Sequence, residues 1–232
     1  MIKGTEIAPG LWALQNSDSE RNVIVLFDDG VEGPAAVVDP GDLAVEMDAV
    51  DSFAAEMGHG VGVLVFTQVS EEHPAVERWP NTIVISPVED ADVPALPFPV
   101  TGWEVVRLSP RRIGLYCKKA GTLLPGLALR NGYIPTLSSG ADNYLELLEG
   151  VEALAPKMVV PQVGVVALGK RQVNARLSAD RDYTQNLTRH VFTAKTARHP
   201  LERVKAVARD IYEDYPFVEE HMRNLQRVWD EL

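Results

Sequence analysis

The chain is predicted to fold as an α/β protein with a helical C-terminus. Three observations point there. Short apolar runs of strand length, such as 63–66, alternate with segments whose apolar residues recur every three or four positions, such as 43–57 and 141–155. Turn-forming residues punctuate them, as in Asp39-Pro40-Gly41-Asp42. Beyond residue 180 the strand pattern stops and helical spacing continues alone.

The opening segments 7–14, 22–27 and 35–38 read as three strands, with Asp28-Asp29-Gly30 as a turn signal after the second. Asp39 follows the third, as a turn residue expected to bond its own backbone. A helix is expected over 43–57, with Leu43, Met47, Val50, Ala54 and Met57 on one stripe. Gly58-His59-Gly60 ends it, and His59 is expected to be a solvated loop residue. Residues 63–66 then form a strand covered on both faces. It runs into Thr67-Gln68-Val69-Ser70-Glu71-Glu72-His73-Pro74, where Ser70 could cap a helix with Glu71 and Glu72 in its first turn. In an open α/β sheet the end of such a strand is where ligands bind, which makes Gln68, Ser70, Glu72 and His73 candidates.

Residues 82–86 read as another strand, and 87–100, with four prolines and three acidic residues, as an extended loop. Residues 103–116 are the second informative stretch. Arg107, Arg111 and Arg112 form a small basic cluster there that reads as a solvated strand end, with anion binding as the sharper alternative. A helix is expected over 141–155 with Tyr144, Leu147, Leu148, Val151 and Leu154 on one face, ended by Pro156. Residues 182–199 read as a mixed helix. Two seams close the chain: Leu201, Val204, Ala208, Ile211 and Tyr215, then Val218, Met222, Leu225, Trp229 and Leu232, separated by Pro216. They read as a hairpin packed on the parent domain or as a dimer zipper. His190, His199 and His221 fall at scattered spacings and read as surface residues.

Four stretches resemble the metallo-β-lactamase superfamily, in order and at compatible spacings over residues 5 to about 165. The segment 67–73 resembles Thr-His-x-His-x-Asp-His: Thr67 and His73 match, whereas Gln68 and Ser70 replace histidines and Glu72 the aspartate. The segment 108–116 resembles His-Thr-Pro-Gly-His-Ile-Ala-Leu-Tyr, with the metal-binding histidine falling on Leu108. Residues 123–129 resemble Leu-Leu-x-Gly-Asp-x-Leu, with the bridging aspartate on Leu127. Residues 159–164 resemble Val-Val-Pro-Gly-His-Gly, with the last histidine on Val163. The opening meander and its Asp-Pro-Gly turn also resemble the family's.

The resemblance implies a four-layer αβ/βα sandwich over residues 1–180, with two sheets face to face and the ligand site at one edge. Residues 181–232 are then a helical extension packed on it. It also implies what is missing. Zinc takes thiolate, imidazole or carboxylate donors, usually at least three from the protein. Leu108, Leu127 and Val163 have none, and Gln68 and Ser70 are poor donors. The chain is therefore expected to hold no metal and no other cofactor. Gln68, Ser70, Glu72, His73, Leu108, Leu127 and Val163 would line a vestigial pocket, or its floor would close as core. The leading functional reading is a catalytically silent fold acting through an unidentified small molecule or protein. The alternative is a hydrolase of ester, lactone or thioester substrates with altered or residual chemistry centred on His73, oriented by Glu72.

Bulk properties bound the rest. With 46% hydrophobic and 24% charged residues the 232-residue chain is globular rather than disordered. No apolar run approaches the roughly 20 residues that span a bilayer. The first six residues lack a signal-peptide core, and Cys117, the single cysteine, excludes an intrachain disulfide; a reducing cytoplasm is the expected setting. Cys117 itself reads as a small strand residue. The net charge of −11 disfavours nucleic acid and anionic membranes. Residues 1–104 hold 3 Lys/Arg and 19 Asp/Glu, and residues 105–232 hold 19 and 14. That asymmetry reads as attraction within one fold or as a head-to-tail homo-oligomer. No dinucleotide-binding glycine motif, P-loop, Cys-x-x-Cys pair or His-Glu-x-x-His occurs.

Overall fold

Alternation within single strands builds the layers. In β5 (Val61–Val65), Val63 and Val65 enter one apolar cluster while Leu64 enters another on the opposite face. The structure is a computed structural model that describes residues 2–28, 33–69, 72–88, 92–93, 95–96, 102–130, 134–211 and 217–232. The expected cap Ser70, much of the 87–100 loop, the Asp29-Gly30 turn, Tyr215 and Pro216 lie outside the described residues.

The first sheet runs β1 (Ile2–Ala8), β2 (Leu11–Asn16), β3 (Arg21–Leu26), β4 (Ala35–Val38), β5 and β6 (Ile83–Ile85), in that order. Its first four strands are an antiparallel meander. β4, β5 and β6 are parallel, so helices must cross over between them: α1 (Ala44–Glu56) and α2 (Pro74–Arg78). The second sheet has the order β11 (Leu168–Gly169), β10 (Met158–Val159), β9 (Thr122–Leu124), β8 (Arg112–Cys117), β7 (Trp103–Ser109). Its one parallel pair, β9 with β10, is joined through α3 (Ala141–Leu154).

Three cores separate four layers. Between the sheets, Leu11, Ile24, Val38, Val63 and Val65 meet Ile113, Leu115, Leu124 and Val160. Outside the first sheet, Val25, Val37 and Leu64 pack against Met47 and Val50 of α1 and Ala75 of α2. Outside the second, Tyr116, Leu123 and Val159 pack against Leu147, Leu148 and Val151 of α3. This is the αβ/βα sandwich the motifs implied. Buried Cys117 sits on β8.

The helical tail differs from its sequence reading. α4 is Lys170–Thr196, beginning twelve residues before the expected helix and spanning the 180/181 junction. Its inner face is Val173, Leu177, Asp180, Thr184, Leu187 and Val191. Two polar residues interrupt that stripe, which hides it from a periodicity argument. α5 (Leu201–Ile211) and α6 (Val218–Glu231) follow. Met222, Leu225 and Val228 of α6 enter the same cluster as α3 and α4, while Leu232 is exposed. His221 is corrected from surface to buried: its Nδ1 lies 2.9 Å from the Tyr183 hydroxyl, and burial pushes its pKa down. His59 is likewise anchored, stacked on Phe27 with Nδ1 2.7 Å from the Gly33 carbonyl. Among the described residues no helix is long and apolar enough to cross a membrane.

Candidate functional site at the strand ends

The parallel strands β4 and β5 end side by side, and their next residues lock together. Asp39 follows β4 with φ +44°, a left-handed conformation that Asp tolerates better than most residues. Its carboxylate accepts from Thr67 N (2.8 Å) and Thr67 Oγ1 (2.6 Å), just beyond β5. The expectation that Asp39 bonds its own backbone is corrected: it ties one strand end to the next. The second sheet closes on this pair. Gly126, in the 3-10 turn after β9, has φ +60°; a Cβ there would lie 1.8 Å from Thr67 Oγ1 and 2.3 Å from Asp39 Oδ2. Only glycine fits that approach. Gln162 Nε2 donates to the Asp39 carbonyl (3.2 Å), and its backbone N donates to the Gly126 carbonyl (3.1 Å).

β8 approaches from the other side. Ile113 N donates to the Thr67 carbonyl (3.0 Å), and Gln68 and Arg112 form an isolated antiparallel bridge. Arg112 is only 8% exposed, which corrects its reading as part of a solvated strand end. Its Nη2 donates to Ser138 Oγ (3.2 Å), and its Nη1 has no hydrogen-bond partner among the described residues. Burial pulls its pKa down, with Tyr144 and Asp39 opposing, yet a guanidinium remains a cation in a protein.

Burial also pushes Asp39 up to about 6, against the Thr67 hydrogen bonds and the Arg112 charge that lower it. The consequence for stability has a definite sign. From about pH 4 to pH 6 the folded chain keeps a proton that the unfolded chain has released, so this group's contribution falls as pH rises and levels off above 6. Two pKa units correspond to about 3 kcal/mol. Asp180, raised by burial as well, acts in the same direction. Urea midpoints measured between pH 4 and 7 are expected to show a shallower decline for Asp39→Asn than for the natural chain.

The structure places the candidate residues unevenly. Gln68 is exposed and joined to Arg112 through the backbone; Glu72 is exposed; Ser70 lies outside the described residues. His73 is half-buried and caps α2, its Nδ1 accepting from Ala75 N (3.1 Å) and its ring packing 4.9 Å from Phe66. Burial lowers its pKa, with Asp42 and a hydrogen bond to the Pro40 backbone opposing and Arg21 reinforcing. Leu108 is buried in the cluster between the second sheet and α3, on the opposite face from the inter-sheet core. Leu127 is half-buried in the turn after β9, and Val163 is buried and bridged to Arg21. The fold thus gathers Asp39, Thr67, Gln68, Arg112, Gly126 and Gln162, and sets Leu108 apart. Of these only Gln68 was a candidate site residue in the sequence. Arg112 had a signal, because it takes the place of the second histidine in the family segment; Gly126 and Gln162 adjoin Leu127 and Val163, where the motifs place metal ligands.

These residues do not fit a zinc ion. Leu108, Leu127 and Val163 offer no lone pair, and the His73 Nδ1 pair already accepts a backbone N–H. Among the described residues no three His, Cys, Asp or Glu side chains gather as a ligand set. A buried guanidinium at the same strand ends repels a further cation.

No protein-family model and no curated protein sequence matches the chain. Solved structures do. A metallo-β-lactamase from Pontibacter korlensis superposes with a TM-score of 0.59 at 14% identity, covering 77% of this chain and 98% of that one. A metallo-β-lactamase family protein from Thermus thermophilus gives 0.61 at 14% identity, covering 80% and 83%. The FIM-1 metallo-β-lactamase of Pseudomonas aeruginosa, in its mono-zinc form, gives 0.59 at 13% identity, covering 79% and 96%. At such identities the likeness is one of fold.

Proposed function

We propose that this chain, which has the metallo-β-lactamase fold, is catalytically silent and works by binding a small molecule or a protein partner. The buried Arg112 at the strand ends is the observation that carries this reading. A divalent cation there would meet a fixed positive charge and too few donors, and without a metal nothing lowers the pKa of water towards 7. His73 supports the same reading: the lone pair that would take a proton from water is used to cap α2. The single, buried Cys117 supports a reducing compartment.

Metal analysis of the dialysed protein tests the proposal. Mass spectrometry is expected to find well under about one tenth of a zinc, iron or manganese per chain, because retention needs a complete ligand set. A metal held through dialysis near one per chain overturns it. So does turnover of an ester, lactone or thioester that disappears in His73→Ala.

A further inference from the structure

Arg112 is a buried charge without a counter-ion. The residue is 8% exposed, and its Nη1 is closed off from solvent with no hydrogen-bond partner among the described residues. No ion pair among the described residues includes it. Two groups bear on its charge. Asp39 spends both carboxylate oxygens on Thr67, and the Tyr144 hydroxyl donates to Asp180, which is itself paired with Arg176. Buried charges are ordinarily paired, because an unpaired one is costly to take out of water. This one stands at the strand ends, where open α/β sheets bind ligands.

Both residues that touch Arg112 from the solvent side are exposed. Gln68 is bridged to it through the backbone, and Ser138 Oγ accepts from its Nη2 at 3.2 Å. That contact is long for a guanidinium, whose bonds to an anionic oxygen run about 2.7–2.9 Å. Ser138 Oγ is the acceptor in it, so its own hydrogen is left for another acceptor. The backbone of Ser138 is anchored, because Arg227 of α6 donates to its carbonyl (2.6 Å). Glu231 of the same helix is spent on Ala141 N (3.0 Å). One unmatched positive charge is balanced by one negative charge, and the fork of N–H groups on a guanidinium matches the two oxygens of a carboxylate.

We propose that Arg112 holds a small monocarboxylate, whose oxygens accept from the guanidinium and from the Ser138 hydroxyl, admitted by rotation of the exposed Ser138 side chain. The proposal rests on catalytic silence, since a metal ion at these strand ends would take the carboxylate instead. Nuclear magnetic resonance titration of the ¹⁵N-labelled full chain with sodium acetate, at pH 7 in a chloride-free zwitterionic buffer, tests it. Saturable shifts of the Gln68, Ile113 and Ser138 amides are expected, half complete at about 1 mM for so small a ligand. Arg112→Gln should weaken binding at least about tenfold. Ser138→Asp, at an exposed position, supplies a carboxylate from the chain itself. It is expected to block acetate and to raise the thermal midpoint by about 2–4 °C, a rise that Arg112→Gln in the same chain should remove. Should Arg112→Gln fail to fold, Ser138→Asp decides alone. Absence of saturation overturns the proposal, as does chloride or acetamide saturating as tightly as acetate. Acetate binding that persists in either folded variant overturns it, and so does a Ser138→Asp midpoint no higher than that of the natural chain. Any of these results in dialysed, metal-free protein leaves catalytic silence standing, whereas a metal near one per chain overturns both.

Discussion

Gly126→Ala is expected to destabilise the fold by about 2–5 kcal/mol, read as a lower urea midpoint at constant slope. Two terms add. A residue with a Cβ loses about 1–2 kcal/mol in the left-handed region that Gly126 occupies at φ +60°. The new methyl would also stand 1.8 Å from Thr67 Oγ1 and 2.3 Å from Asp39 Oδ2, so the two side chains joining β4 to β5 must separate. Overpacking of a filled site costs about 1–3 kcal/mol. Gly58→Ala is the control. Gly58 has φ +79°, but nothing lies within 4 Å of its Cβ position. It is expected to lose the backbone term alone, about 1–2 kcal/mol. Equal losses at the two positions would mean that the strand ends are not packed as described.

The second large effect is expected at Asp180, 2% exposed in the inner face of α4. It accepts from the Tyr144 hydroxyl (2.8 Å) and pairs with Arg176 across 2.7 Å. Burial raises its pKa, which Arg176 and Tyr144 oppose, so the pair is held against a desolvation cost. Asp180→Leu strands the Arg176 charge and the Tyr144 hydroxyl, and removing one partner of a buried pair costs about 3–5 kcal/mol. The double variant Arg176→Met with Asp180→Leu removes both charges and is expected to recover most of that loss, because replacing a whole buried pair with apolar groups is often neutral. A double variant as unstable as the single one would show that the loss comes from the Tyr144 hydroxyl or from packing.

Asp180 also explains why α4 was harder to read than α3. The face of α3 is apolar at Tyr144, Leu147, Leu148 and Val151, so its period stands out. α4 places Asp180 and Thr184 at inward positions, where a polar residue is tolerated only because Tyr144, Arg176 and the Asp180 carbonyl satisfy it. Those partners come from another helix or an earlier turn, and no local pattern announces them. Cap positions were subject to the same limit. His73, which no sequence pattern marked as a cap, accepts the first helical N–H of α2, because Pro74 starts that helix.

The residues by themselves determined the class of fold and the absence of donors at Leu108, Leu127 and Val163, while the expected single strand over 7–14 proved to be parts of β1 and β2. Strand length, turn residues and side-chain chemistry are local properties, and each can be read in place. Tertiary structure alone decided that Arg112 turns inward while Arg111 stays exposed, that Asp39 bonds Thr67, and that Gly126 and Gln162 close over them. Adjacent strand residues point to opposite faces, so one step of register separates a solvated arginine from a buried one. That step is set by pairing between β8 and the end of β5, two segments that lie far apart along the chain.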